Sequence, residues 1–235
     1  MKDAAFENRR HEVSRLEGFS DAVFAFAVTL LVVSLEVPRT FNELHDAMRG
    51  FFAFAICFAL LFQIWRRHHK FFRSYGLEDT TTITLTGVLL FVVLFYVYPL
   101  KFLWTLAITT RFSGNELVVL PDGRVEPMIL NAQVPALFEI YGVGVAAVFS
   151  VFVALYLHAY RLRSELGLTP LEALYTRVSV MSNIGVAAVG VVSAGIAWLG
   201  GQSFVTWAGL VYFSIGPIEW QLGRYARKGR NRVIG

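Results

Sequence analysis

The sequence predicts an all-α integral membrane protein with six transmembrane helices and both termini in the cytoplasm. Three observations predict it. Of 235 residues, 56% are hydrophobic and only 16% are charged, against about 45–50% and about 25% in a soluble domain. Six apolar stretches each approach the roughly 20 residues that span a bilayer core. They lie near 19–37, 47–65, 82–103, 136–158, 174–199 and 203–222. Lys and Arg concentrate in alternate connecting segments, with 16 of 21 on one side. By the positive-inside rule that side is cytoplasmic, and an even number of spans is required.

The first span reads as a retained helix, because Met1 to Gly18 mixes acids with bases and no small-x-small cleavage pattern follows the apolar run. Ser14 and Glu17 form a capping-box pattern ahead of it. Asp21 opens the apolar run, and an acid there needs a partner near the inner surface. Arg15 or a group on another helix can supply it. Beyond Asp21, Phe26, Leu30, Val33 and Val37 share one helix face, flanked by Thr29. One account is a packing stripe. The other is a stripe lining a pore, where rings of apolar side chains gate by dewetting. Glu36 ends this span. It is either an entrance carboxylate or an interfacial acid paired with Arg39.

The second span follows the box Thr40…Glu43 and ends at Trp65, before Arg66, Arg67, His68, His69, Lys70 and Arg73. Adjacent histidines point about 100° apart on a helix, whereas ligands on one face sit three or four residues apart. His68 and His69 therefore read as an interfacial cationic cluster. The third span leads into an outer segment, 105–135. There Leu117–Leu120, then Pro121-Asp122-Gly123, then Val125 onward give a strand–turn–strand signal.

The fourth and fifth spans carry small residues, Gly142, Gly144, Ala146 and Ala147 against Ser182, Gly185, Gly190, Ala194 and Gly195. Such residues let helix backbones approach closely. Thr169-Pro170-Leu171-Glu172 caps the fifth span, which can run from about 170 to 199. The sixth leads into a basic tail, 223–235, with Arg224, Arg227, Lys228, Arg230 and Arg232. This tail reads as a contact for anionic lipid of the inner leaflet and not as a nucleic-acid site. All five tryptophans fall near the proposed interfaces: Trp65 and Trp220 inside, Trp104, Trp198 and Trp207 outside.

Enzymatic motifs are missing from the sequence. There is no His-Glu-x-x-His, no phosphate-binding Gly-rich loop and no Gly-x-Ser-x-Gly. A single cysteine, Cys57, excludes an internal disulfide and a cysteine-based zinc site. The expectation is a non-enzyme without a cofactor.

The opening of the first span, Arg15-x-x-x-Phe19-Ser20-Asp21 followed by Ala-Val-Phe-Ala, resembles the signature of the lysosomal-type potassium channel family (transmembrane protein 175) and its bacterial homologues. Trp65…His68-His69 is similar to a pattern common among the bacterial members. The resemblance implies a potassium-permeable channel without a Thr-Val-Gly-Tyr-Gly filter loop. One copy of the signature implies the bacterial form, a homotetramer in a prokaryotic cytoplasmic membrane with four first helices around the axis. It further implies that Arg15, Phe19, Ser20 and Asp21 form an inner-end network, with Trp65, His68 and His69 as partners, and are not ion ligands. The apolar constriction would fall at Phe26, with further layers at Thr29, Leu30 and Val33. The family usually carries Ile or Leu at the first layer, so either Phe26 or Leu30 forms the narrowest ring. Potassium is then the permeant ion.

Two other functions fit the same spans. A secondary transporter needs a midplane polar site, commonly at broken helices. The candidates are Ser182, Asn183, Thr84, Thr86 and Pro99, and no internal repeat supports them. A non-conducting structural membrane protein is the remaining alternative.

Overall fold

A computed structural model of the chain describes residues 12–33, 39–112, 117–119 and 122–234. Seven α-helices account for most of them: α1 (Arg15–Val33), α2 (Phe41–Tyr75), α3 (Thr80–Phe112), α4 (Val134–Arg161), α5 (Pro170–Gly200), α6 (Val205–Leu210) and α7 (Ile215–Ile234). Among the described residues, four helical runs are long and apolar enough to cross a membrane: Gly50–Tyr75, Thr80–Thr110, Asn131–Arg161 and Pro170–Asn231. The last, of 62 residues, contains both the fifth and the sixth predicted spans. Glu36, Val37 and the side chain of Val33 lie outside the described residues.

The helices start where the sequence supplies acceptors for free N–H groups. Ser14 Oγ accepts from the Glu17 N–H at 3.1 Å. At α5 the box is complete: Thr169 Oγ1 accepts from Glu172 N–H at 3.3 Å, and Glu172 Oε2 accepts from Thr169 N–H at 2.8 Å. α3 starts on a cap that the sequence reading did not name. Asp79 Oδ2 accepts from Thr81 N–H at 3.2 Å and Oδ1 from the Thr82 hydroxyl at 2.6 Å. α2 stops at Gly76, whose φ of 60° suits glycine.

Three boundaries differ from the expectation. α2 continues past Trp65 to Tyr75, so both histidines are helical. α3 continues to Phe112 and takes the first part of the predicted 105–135 loop into a helix. No Gly or Pro interrupts 105–112, and its 33 residues give about 50 Å of helix. The sixth span is broken. Single 3₁₀ turns at Gly201–Phe204 and Val211–Ser214 flank the short α6. Pro217 lacks the N–H that would bond the Phe213 carbonyl, which accounts for the second break. Beyond it α7 runs helically through the basic tail to Ile234. Ala226 is fully buried, and a Cβ at Gly229 would lie 2.6 Å from Leu174, so the tail packs along the start of α5.

The predicted hairpin is present. β1 (Leu117–Val119) pairs antiparallel with β2 (Val125–Pro127), Val118 opposite Glu126, with Gly123 at φ 81° in the turn. The small residues of α4 and α5 also meet as expected. A Cβ at Gly142 would lie 2.6 Å from the Gly190 carbonyl oxygen, and a Cβ at Gly190 would lie 2.6 Å from that of Gly142. Only glycine allows this approach of two backbones.

One apolar core joins α1 to α4. Phe24 and Leu31 of α1, Phe71 of α2, Leu89 of α3, and Phe152 and Leu155 of α4 are among its buried members. This core fixes the rotation of α1 about its axis, and that rotation determines which face α1 leaves uncovered.

Candidate functional site

α1 has two chemically distinct faces. Glu17, Ser20, Phe24, Ala27 and Leu31 are buried at three- and four-residue spacing, the period of one helix face. The opposite face is uncovered. Phe19 is 61% exposed and Phe26 is 56% exposed, and Ala22, Thr29 and Val32 lie open beside them. Leu30 is half-buried and packs against the core. The predicted stripe is therefore divided: Phe26 and Thr29 face outward, and Leu30 turns inward.

Thr29 uses its hydroxyl hydrogen locally, donating to the Phe26 carbonyl at 2.7 Å. Its oxygen lone pairs remain on the uncovered face. Near the other end of α1, Lys101 of α3 donates from Nζ to the Leu31 carbonyl at 2.9 Å. A cation there complements the negative end of the helix dipole.

The N-terminal end of α1 is tied to α2 by polar contacts. Trp65 Nε1 donates to Asp21 Oδ1 at 2.7 Å. Glu17 Oε1 lies 3.1 Å from His69 Nδ1. Trp65 and His69 stack on each other at 5.3 Å between ring centroids and 19° between planes. The two contacts are one turn apart on both helices, because Glu17–Asp21 and Trp65–His69 each span four residues. Ser20 closes onto its own helix, donating to the Leu16 carbonyl at 2.8 Å.

His68 is fully buried between the rings of Phe24 and Phe72, at 5.7 Å and 4.7 Å. Neither of its ring nitrogens has a hydrogen-bond partner among the described residues. Of the expected network the structure brings together Asp21, Trp65 and His69, with Glu17 beside them, and places His68 apart from them among aromatic rings. Arg15 does not pair with Asp21. It is exposed and joins no ion pair among the described residues, and Phe19 is likewise turned outward. No group of three or more potential metal ligands occurs among the described residues.

A groove of about 330 Å³ runs beside the uncovered face, lined by Phe24, Ala25 and Val28 of α1 and by Phe58, Leu61 and Phe62 of α2. Its polar groups, Asp21 and Trp65, stand at one end. Along α2 the rings of Phe51, Phe54, Phe58, Phe62 and Trp65 follow one another at 5.2–6.1 Å and lead to His69.

A potassium channel from Marivirga tractuosa is 38% identical over 232 residues, which cover 97% of this chain and 94% of that one. The chain belongs to the TMEM175 potassium channel family. The family model, described as endosomal/lysosomal potassium channel TMEM175, matches residues 15–96. That segment contains every contact just described between α1 and α2. The crystal structure of the potassium channel MtTMEM175, a threonine-to-alanine variant bound to a nanobody–MBP fusion, superimposes with a TM-score of 0.80. It is 38% identical and covers 95% of this chain and 97% of its own. A TMEM175 homologue from Chamaesiphon minutus, described as a lysosomal potassium-selective channel, shares the fold at a TM-score of 0.53 and 21% identity. Here the coverage is 94% and 99%.

Two polar links that run from the segment matched by the TMEM175 model to later helices escaped the sequence reading. His158 Nε2 lies 2.8 Å from Asp79 Oδ2 and joins the end of α4 to the start of α3. Arg67 reaches Asn183 Oδ1 at 3.4 Å and Glu219 Oε1 at 3.5 Å, while Ser182 donates to Glu219 at 2.5 Å. Its guanidinium also lies over the Phe149 ring at 5.3 Å. The signal available was an acid, Glu219, inside an apolar stretch, since such residues usually carry a partner on another helix.

Asp79 lies outside the membrane-spanning runs. Partial burial pushes its carboxyl up, but hydrogen bonds from Thr82, His158 and the Thr81 backbone outweigh this and hold it below the ordinary carboxylate value.

Proposed function

We propose that this chain is a potassium channel that conducts passively through a homotetrameric pore lined by α1. Six spans per copy and two cytoplasmic termini follow from the Lys/Arg distribution. The observation that carries the reading is the division of α1 into a buried face and an uncovered face bearing Phe26 and Thr29. Four such faces meeting on an axis place four phenylalanines in one ring and four threonine oxygens one turn further along. The Phe26 ring is the apolar constriction. Leu30 packs sideways into its own subunit and is the lesser barrier. Val33 adds an outer layer, and Glu36 a carboxylate ring at the outer entrance.

The neighbouring copy seats against the groove between α1 and α2, which a single chain leaves open. Asp21, Glu17, Trp65 and His69 hold the inner end of α1 at fixed rotation and bind no ion. Arg15 and Phe19, uncovered in one chain, complete this network across the subunit boundary. The basic helical tail lies against anionic lipid, in a cell membrane.

Potassium efflux from liposomes holding the purified protein tests this reading, together with a projection image along the membrane normal. Fourfold symmetry and passive, non-saturating efflux are expected. A monomer, or uptake that saturates and requires a coupled ion, contradicts it.

A further inference from the structure

The inner ends of α4 and α5 bring two arginines onto one tyrosine. Arg163 Cζ lies 4.8 Å from the centroid of the Tyr160 ring, and Arg177 Cζ lies 5.0 Å from the same centroid. Arg177 also donates from Nε to Tyr160 Oη at 2.5 Å, and Arg163 donates from Nη1 to the Tyr160 carbonyl at 3.2 Å. Each guanidinium is therefore fixed at one edge and stacked on a ring face. Each keeps free N–H donors, of the five that an arginine carries.

Neither guanidinium has a carboxylate partner among the described residues, and both are exposed, as is the neighbouring Arg161. Two cations gathered on one ring without an acid repel each other. The Tyr160 ring offsets part of this, because a cation over an aromatic face is attracted by the ring quadrupole. What the pair lacks is an anion. A preorganised guanidinium pair suits phosphate, whose oxygens accept two N–H bonds from each fork.

We infer that Arg163 and Arg177, organised by Tyr160, form a binding site for a phosphate group presented at the cytoplasmic membrane surface. The placement at that surface rests on the topology proposed above; the binding itself does not. α4 leaves its apolar run at this level and turns at Gly167, φ 57°, into α5. A diester phosphate of an anionic lipid therefore lies within reach, as does free phosphate from the cytoplasm. The site is distinct from the basic stretch of α7, whose Arg224 stacks on its own Trp220 at 4.7 Å.

The test uses the whole protein in a neutral detergent, with native mass spectrometry to count bound molecules. Phosphatidylglycerol is titrated in one arm, phosphatidylcholine in a second and inorganic phosphate in a third. Wild type is compared with Arg163→Ala/Arg177→Ala and, as a control, with Arg124→Ala beside the hairpin turn, whose side chain is exposed. All three should elute as the same oligomer, since the substituted side chains are exposed. For the arginine pair we expect an affinity loss of tenfold or more for phosphatidylglycerol. The Arg124→Ala control should lose less than threefold, and phosphatidylcholine should bind weakly to all three proteins. Loss confined to inorganic phosphate supports the same site with a soluble anion as its ligand. Unchanged affinity of the arginine pair for both anions overturns the inference. This binding assay is independent of conduction, so a channel without flux still tests it.

Discussion

Trp65 Nε1 donates a 2.7 Å hydrogen bond to Asp21 Oδ1, and so fixes the N-terminal end of α1 against α2. One turn away Glu17 Oε1 approaches His69 Nδ1 to 3.1 Å, a second polar contact without hydrogen-bond geometry. Two contacts on the same pair of helix faces restrict rotation of α1 more than one does. Rotation is the coordinate that matters here, because about 100° per residue separates Phe26 from its neighbours on the helix.

Removing the first contact should loosen this restraint without touching the uncovered face that bears Phe26 and Thr29. Trp65→Phe keeps an aromatic ring but leaves Asp21 without its donor. Hydrogen bonds to charged groups contribute about 1.5–3 kcal/mol, so a lower melting temperature in detergent and a smaller tetramer fraction are expected. Asp21→Asn should show the same pattern with unchanged ion preference in whatever flux remains. A normal tetramer with normal flux from both variants contradicts the role.

The α4–α5 contact gives a prediction about packing. Gly190→Val places methyl groups where the Gly142 carbonyl already stands, 2.6 Å from the Cβ position. Overpacking costs about 1–3 kcal/mol, and backbone is the group that must move. A clear loss of thermal stability is expected. Gly195→Val, where a Cβ meets nothing within 4 Å, should melt close to wild type in the same assay.

Asp79 makes stability depend on pH in a defined direction. Its carboxyl ionises more readily in the folded chain than at its ordinary value of 3.8. The stabilisation is therefore complete above that value and is lost as pH falls through the lower folded one. Asp79→Ala removes the cap of α3, worth about 1 kcal/mol, and the His158 contact with it. The variant should melt below wild type at pH 7, and the gap should narrow as pH drops below 3.8. A gap that widens toward low pH contradicts the assignment.

The Arg67–Glu219 pair is more modest. Their side chains are 34% and 40% exposed and meet at 3.5 Å. A double-mutant cycle with Arg67→Ala and Glu219→Ala should give a coupling of about 1 kcal/mol or less. A coupling several times larger would mean that the cluster, including Ser182 and Asn183, holds α7 to the bundle.

Much of this fold was legible because bilayer-spanning helices follow from length, apolarity and charge at their ends. Ser14 and the Thr169–Glu172 box sit where the sequence placed them. The glycines of α4 and α5 meet as small residues should. Helix ends past the membrane were not legible, because no apolarity marks them. α3 running to Phe112 and α7 running through the arginines to Ile234 are examples. The break before Ile215 was readable in principle from Pro217.

At the site, the signature pointed to Asp21 and Trp65, but periodicity could not separate Phe26 from Leu30. Both belong to a single i, i+4 row. Only the packing of Phe24, Ala27 and Leu31 into the core sets the rotation that turns one outward and the other inward. The Asp79–His158 and Arg67–Glu219 links join residues 79 and 152 positions apart, a separation that no local pattern encodes.

The most direct test compares potassium efflux from liposomes holding wild type, Phe26→Ala and Leu30→Ala at equal tetramer density. Opening an apolar constriction should raise flux through Phe26→Ala at least several-fold, with Leu30→Ala close to wild type. Equal flux from wild type and Phe26→Ala, or an increase confined to Leu30→Ala, contradicts a pore gated by Phe26.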